Sequence, residues 1–160
     1  MSNPKHFYLH SLGCAKNTVD SKSMAQLLQK TGYLSTDTPQ EAEVLIVNTC
    51  GFIGPAKDES MEALQELAAT KTTKQILIAA GCLSQRYGQS ITKEIPGIDG
   101  IIGTRRWMDI VDIIEQMQKN ASNKTLYHLP KVPSVGTDEK NAQRISIQGK
   151  SAYIKIADGC

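Results

Sequence analysis

Apolar residues along the chain occur in short runs, separated by longer stretches in which they recur at helical spacing. The short runs predict five strands, and two of them, VLIVNT and QILIAA, are almost continuously apolar, as is typical of strands buried on both faces of a parallel sheet. Between them lie three stretches with the periodicity of amphipathic helices, the first of them capped by Asn17. The predicted strands are HFYLHS, YLST, VLIVNT, QILIAA and DGIIG, and the predicted helices are VDSKSMAQLLQKT, AKDESMEALQELAAT and RWMDIVDIIEQMQK.

This alternation of strands and helices predicts the fold class and the order of the strands. Strands that alternate with helices form an α/β fold with a parallel sheet, and right-handed crossovers are strongly favoured. The simplest arrangement over residues 6–119 is a five-stranded doubly wound sheet in the flavodoxin-like order 2-1-3-4-5. The segment GCLSQRYG after the fourth strand is predicted to be a loop.

The pattern changes after residue 120, which we predict to be the end of the first domain (1–120). Residues 121–142 are polar, contain two prolines and have no period, so they are predicted to be a linker. Residues 143–160 then give two short alternating runs around Gly149. A segment of this length cannot bury a core of its own. We expect it to be a C-terminal extension outside the sheet and the start of a second domain.

Composition and charge exclude several classes of protein. The formal net charge of +2 over 160 residues is too small to indicate a nucleic-acid or membrane surface. No apolar run approaches the ~18 residues of a membrane span, and the N-terminus lacks the apolar stretch of a signal peptide. We therefore expect a cytoplasmic protein, in which the four cysteines are ligands, catalysts or buried apolar residues rather than disulfides.

Three of the cysteines occupy equivalent places after predicted strands. Cys14, Cys50 and Cys82 follow strands one, three and four, and each lies beside a glycine. Successive cysteines are separated by about one βαβ unit, which is ~30 residues. Because strands one, three and four are neighbours in the predicted order, their carboxyl ends lie side by side. We expect the three thiols to converge at this edge, where ligands bind in open α/β sheets.

The chemistry of three thiols at such an edge indicates a metal. A helix N-terminus favours the thiolate form, and thiolates are soft ligands that suit an iron–sulfur cluster or zinc. Three thiolates are one fewer than a full ligand set, so a cubane cluster held by them would keep one iron open. The alternative is that the cysteines are buried apolar fillers, which for any one of them alone is an equally good interpretation.

Other candidate side chains carry weaker signals. Arg86 and Tyr87, after Cys82, could reach a ligand at the same edge. The three histidines are predicted to be structural or to face solvent; they are His6, His10 and His128.

Four motifs resemble one enzyme family. SLGCAKNTVDS, VNTCGFIGPAKDES, AGCLSQRY and AYIKIADGC resemble the methylthiotransferases, which are radical S-adenosylmethionine enzymes, and they are most similar to the RimO-type branch. The resemblance implies that residues 1–120 form the N-terminal domain, in which Cys14, Cys50 and Cys82 bind an auxiliary [4Fe–4S] cluster. It also implies that residues 143–160 begin the radical barrel domain, where Cys160 is the first ligand of a second [4Fe–4S] cluster.

The same resemblance implies an activity. The RimO-type branch adds a methylthio group to the β-carbon of an aspartate in small-subunit ribosomal protein number twelve, using a sulfur donor and S-adenosylmethionine bound by the barrel. The other two cysteines of the motif C-x-x-x-C-x-x-C are not in this sequence, so we expect the 160-residue chain alone to be inactive. Binding of a membrane or direct binding of nucleic acid is not indicated.

Three alternatives remain open. The sister MiaB-type branch modifies an adenosine in tRNA, although its first motif more usually reads YGCQMN where this chain has LGCAKN. A flavodoxin-like module could instead bind a mononucleotide phosphate at a helix N-terminus. The third alternative is a non-catalytic scaffold with buried cysteines.

Overall fold

A computed structural model describes residues 5–120, 124–129, 131, 140 and 142–156 of the chain. Within these residues, no helix is long and apolar enough to cross a membrane. The strands and helices, in chain order, are β1 (His6–Ser11), α1 (Ala15–Lys30), β2 (Leu34–Ser35), β3 (Val44–Thr49), α2 (Gly54–Thr70), β4 (Ile76–Gly81), α3 (Cys82–Glu94), β5 (Gly100–Ile102), α4 (Ile110–Lys119), β6 (Leu126–His128), β7 (Ile145–Gln148) and β8 (Ser151–Ile154), with 3-10 turns at Pro39–Glu41 and Trp107–Asp109.

The main sheet has six strands in the order β2-β1-β3-β4-β5-β6, and every neighbouring pair is parallel. The predicted order 2-1-3-4-5 is present within it, but the predicted number of five strands is wrong. The sixth strand, β6, lies inside the segment predicted to be a linker. It joins the edge of β5 through hydrogen bonds from the Leu126 N–H to the Asp99 carbonyl and from the Gly103 N–H to the His128 carbonyl.

Two apolar cores, one on each face of the sheet, give the fold its three layers. Alternate residues of the central strands point to opposite faces. One face packs against α1 and α4, with Ile46 and Ile78 at its centre. The other packs against α2 and α3, with Leu45 and Leu77 at its centre. This is the doubly wound arrangement that the sequence predicts.

One helix begins earlier than predicted, and one helix was not predicted. Helix α1 begins at Ala15 with Cys14 as its N-cap, so Asn17 lies in the first turn and is not the cap. Helix α3 begins at Cys82, so the predicted loop GCLSQRYG is helical, with non-helical backbone angles at Tyr87. Two of the three cysteines of interest therefore lie at helix N-termini.

The β7–β8 hairpin forms a separate two-stranded antiparallel sheet. It lies outside the main sheet, and both of its strands contact α1. Its two strands correspond to the two short alternating runs around Gly149 in the sequence.

The edge formed by β5 and β6 is held by the carboxylate of Asp109. Arg106 donates from Nε and Nη2 to its two oxygens at 2.7 and 2.8 Å, and His128 Nε2 at the end of β6 lies 2.9 Å from Oδ2. Burial by itself raises the pKa of Asp109, but the hydrogen bonds to Arg106 and His128 outweigh it and hold the pKa below its ordinary value of 3.8.

We predict that Asp109→Asn lowers the free energy of unfolding at pH 7 by about 1–3 kcal/mol, because it removes a charged acceptor from three partly buried hydrogen bonds. A carboxylate with a lowered pKa contributes stability above its ordinary pKa and loses it as the pH falls through the lower, folded value. The difference from the parent should therefore shrink below pH 3.8. Urea denaturation across pH measures this. The exposed Asp37→Asn is the matched control, and equal costs for the two variants would contradict the prediction.

Candidate functional site

Cys14, Cys50 and Cys82 follow three neighbouring strands at the carboxyl edge of the main sheet. Thr49 and Gly81 form the last pair between β3 and β4, so Cys50 and Cys82 are the first residues after two adjacent strands. Ser11 pairs with Asn48 at the end of β1, and Cys14 follows at the start of α1. The parallel register therefore brings the three cysteine segments to one edge.

Asn17 connects all three segments through one buried carboxamide. Its side chain is 1% exposed. Nδ2 donates to the Leu12 carbonyl at 2.8 Å and to the Thr49 carbonyl at 2.9 Å, which fixes the orientation of the amide. Oδ1 then faces Cys82 Sγ at 4.0 Å and accepts from its thiol. The segments that lead to Cys14 and Cys50 and the thiol of Cys82 are thus joined by one side chain.

Further polar side chains fix the backbone around this amide. Asn48 Nδ2 donates to the Asn17 carbonyl and to Ser21 Oγ, both at 2.9 Å. Ser60 Oγ, in α2, accepts from the Cys50 N–H at 2.9 Å and lies 3.1 Å from the Cys50 carbonyl. The backbone of Cys50 is therefore held against α2 on one side and, through Thr49, against Asn17 on the other.

Two glycines allow these segments to approach one another. Gly13 has a φ of +89°, and a Cβ placed on it would lie 2.6 Å from Cys50 Sγ. Gly81 has a φ of +96°, and a Cβ there would lie 2.5 Å from Asn48 Oδ1. Both positions require left-handed backbone and leave no room for a side chain, so glycine is needed at each.

A cavity of about 610 Å³ opens beside two of the thiols. Its lining includes Cys14 and Cys50, whereas the thiol of Cys82 faces Asn17. Phe52 and Ile53 are 70% and 56% exposed at this cavity, which is unusual for large apolar side chains. The full lining is Gly13, Cys14, Ala15, Lys16, Cys50, Phe52, Ile53 and Ala56.

Among the described residues, Cys14, Cys50 and Cys82 form no disulfide; Cys14 is exposed, and Cys50 and Cys82 are buried. In the part of the chain that the structure describes, no three His, Cys, Asp or Glu side chains are arranged to hold a metal ion. The Cys82 thiol lies 4.0 Å from Asn17 Oδ1 and is not among the side chains that line the cavity. The ligand role of the three cysteines stays a prediction, and Cys160 lies outside the described residues.

Sequence reasoning missed Asn17 and Ser60, which hold the cysteine segments. Asn17 lies three residues after Cys14, one helical turn along α1, and that spacing is the only local signal for its role. Arg86 and Tyr87 are exposed, and the Tyr87 ring lies 5.1 Å from Lys57 Nζ rather than at the cavity. His6 and His10 are partly buried on β1.

Comparison with known proteins gives consistent matches. The family model described as Uncharacterized protein family UPF0004 matches residues 6–103. The similar curated proteins include Ribosomal protein uS12 methylthiotransferase RimO of Symbiobacterium thermophilum, which is 42% identical over 152 residues, covering 94% of this chain and 30% of that protein. RimO of Natranaerobius thermophilus is 45% identical over 153 residues, covering 94% of this chain and 33% of that protein. RimO of Myxococcus xanthus is 38% identical over 162 residues, covering 99% of this chain and 33% of that protein. The chain spans about one third of the length of these relatives.

We predict that Gly13→Ala destabilises the protein more than Gly32→Ala does. The two glycines have nearly equal φ values, +89° and +91°, but a Cβ at Gly32 would meet no atom within 4 Å. Gly32→Ala therefore carries only the backbone strain of about 1–2 kcal/mol. Gly13→Ala adds the displacement of Cys50, which costs about 1–3 kcal/mol more.

Urea denaturation measures the two stabilities, and alkylation of Cys50 followed by mass spectrometry reports its displacement. Faster alkylation of Cys50 is expected in Gly13→Ala only. Equal stabilities and equal alkylation rates in the two variants would show that the close approach of Gly13 to Cys50 is unimportant.

Proposed function

The chain belongs to the protein family UPF0004 and contains an N-terminal methylthiotransferase domain close to RimO, and we propose that it is the amino-terminal part of an enzyme that modifies ribosomal protein uS12. The relatives that carry this name are about three times as long as the chain. The activity and the substrate of the whole enzyme are therefore part of the proposal. In detail, the proposed enzyme acts in the cytoplasm and transfers a methylthio group to the β-carbon of an aspartate in that protein. S-adenosylmethionine would be bound elsewhere in the enzyme.

The role proposed for this domain is to hold an auxiliary [4Fe–4S] cluster through Cys14, Cys50 and Cys82. One observation carries the proposal: the three cysteines follow adjacent strands, and Asn17 bonds to the segments before Cys14 and Cys50 and to the thiol of Cys82. Soft thiolates are the ligands that iron–sulfur clusters require. When bound by three thiolates, such a cluster would supply one open iron that takes up a sulfur species.

The three cysteine side chains fit a [4Fe–4S] cluster, provided that the Cys82 side chain rotates. Cys14 and Cys50 already line the cavity. Loss of the Cys82 proton removes the hydrogen bond to Asn17 Oδ1, and the thiolate and the amide oxygen then repel each other. Deprotonation therefore favours rotation of Cys82 away from Asn17 and toward the other two sulfurs. Ligands that become ordered only when the metal binds are common in metalloproteins.

The residues around the cavity suit a sulfur species. Phe52, Ile53 and Ala56 present apolar surface that limits access of water, while Lys16 brings a positive charge to the same cavity. A small anionic sulfur compound matches this combination, since its sulfur atoms are polarisable and weakly hydrated. The mononucleotide alternative explains neither the three thiols nor the glycines that bring them close together. That the isolated chain is inactive in transfer remains a prediction.

We predict that anaerobic reconstitution with iron and sulfide loads about four irons per chain, the content of one cluster. Serine at Cys14, Cys50 or Cys82 removes one soft ligand and should lower the bound iron to less than half of the parent value. Cys160→Ser is the matched control and should retain nearly all of it. Iron counting and the visible absorption spectrum measure these outcomes.

The cluster assignment fails if Cys82→Ser retains as much iron as the parent. It also fails if Cys160→Ser loses as much iron as the other three variants, because the iron would then bind any accessible thiol.

A further inference from the structure

The β7–β8 hairpin contacts α1 through its polar side and exposes its apolar side. Ser146 pairs with Tyr153, and Ile145 pairs with Ile154, so alternate residues separate into two faces. Ser146 is 1% exposed. On the opposite face Ile147 is 68% exposed and Ile154 is 67% exposed. The face that packs on α1 is therefore the polar one, and the contacts with α1 have to account for the orientation.

A buried ion pair connects the end of the hairpin to α1. Lys155 Nζ lies 2.7 Å from both carboxylate oxygens of Asp20, and the two side chains are 3% and 7% exposed. The same ammonium group lies 5.8 Å from the ring centroid of Trp107, which is itself buried. The charge of Lys155 is thus matched by a carboxylate and by the face of an aromatic ring.

Other residues of α1 bind the backbone of the same segment. Ser23 Oγ donates to the Gln143 carbonyl, and Lys22 Nζ donates to the Ile147 carbonyl at 2.9 Å. These bonds use backbone acceptors, which any sequence would supply. The pair of Asp20 and Lys155, in contrast, depends on the identity of both side chains.

The energetics of a buried pair explain how it selects one orientation. Turning the hairpin over would move Lys155 away from the buried carboxylate of Asp20. Removing one partner of a buried ion pair is strongly unfavourable, whereas the intact pair adds little net stability compared with apolar residues. Such a pair penalises the alternative arrangement more than it stabilises the native one.

We propose that Asp20 and Lys155 are positioning residues that hold residues 142–156 on α1 in a single orientation. Helix α1 has Cys14 as its N-cap, and Cys160 follows Lys155 by five residues. The pair therefore fixes where the chain leaves α1 on its way to Cys160, relative to the cavity at Cys14. This consequence rests on the proposed function in one respect, the role of Cys160 as a ligand of the second cluster.

Hydrogen exchange followed by mass spectrometry on the iron-free 160-residue chain tests the proposal independently of any cluster. Asp20→Asn and Lys155→Met should each speed exchange in residues 145–154 at least tenfold and leave β3 and β4 unchanged. The control is Asp112→Asn, which removes the same charge from the exposed pair with Lys140, 2.6 Å apart. It should leave the hairpin's exchange unchanged, because exposed pairs contribute little.

Two further readouts separate positioning from general stabilisation. Trp107 is the only tryptophan, so its fluorescence should shift to longer wavelength and its quenching by acrylamide should rise at least twofold in both single variants. The double variant should exchange no faster than the faster single variant, because the two residues act as one unit.

Unchanged exchange at the hairpin in both single variants would overturn the proposal. Equal acceleration in β3 and β4 would also overturn it, because the pair would then stabilise the whole domain and would not position one segment. Additive effects in the double variant would show that the two residues act separately and would likewise contradict it.

Discussion

The carboxamide of Asn17 is the interaction on which the geometry of the site depends. Backbone carbonyls at the ends of buried strands require hydrogen-bond donors, and Asn17 supplies them to Leu12 and Thr49 at once. With both hydrogens of the amide used, only its oxygen remains for Cys82. The parallel register brings the three cysteine segments to one edge of the sheet, and Asn17 sets their spacing. Without it, the carbonyls of Leu12 and Thr49 would lose this donor.

Helix α1 carries both this amide and the carboxylate that holds the hairpin. Asn17 and Asp20 lie three residues apart on neighbouring positions of the helix surface, and both are buried. Ser21 and Ser23 are also buried on α1, so this helix buries an unusual number of polar side chains. Each of these side chains bonds to a segment distant in sequence. Helix α1 therefore links the candidate metal site to the residues that lead toward Cys160.

Much of the fold could be predicted from the sequence because continuous apolar runs have few alternatives. VLIVNT and QILIAA correspond to β3 and β4, and the right-handed crossover rule then fixes most of the strand order. Strand β6 was missed because three residues with one partly buried leucine carry no periodic signal. The start of α1 was missed because cysteine is not a usual N-cap residue and Asn17 is. The hairpin's position depends on a pair 135 residues apart, which no local pattern indicates.

The candidate site was predictable in position but not in detail. The spacing of Cys14, Cys50 and Cys82 by one βαβ unit places them at one edge of any parallel sheet of this order. The roles of Asn17, Ser60 and Gly13 depend on distances across the fold, and the sequence carries no measure of those. The direction of the Cys82 thiol, toward an amide oxygen and away from the cavity, likewise depends on tertiary contacts.

The central claim is that three thiols at this edge can converge on one ion. Arsenite is a direct probe, because trivalent arsenic is a soft ion that accepts up to three thiolates. X-ray absorption at the arsenic edge would count the sulfur neighbours in the iron-free Cys160→Ser protein loaded with one arsenite. The account predicts three sulfur neighbours, falling to two when Cys82 is also replaced by serine. Two sulfur neighbours before that replacement would contradict it, because Cys82 would then remain with Asn17.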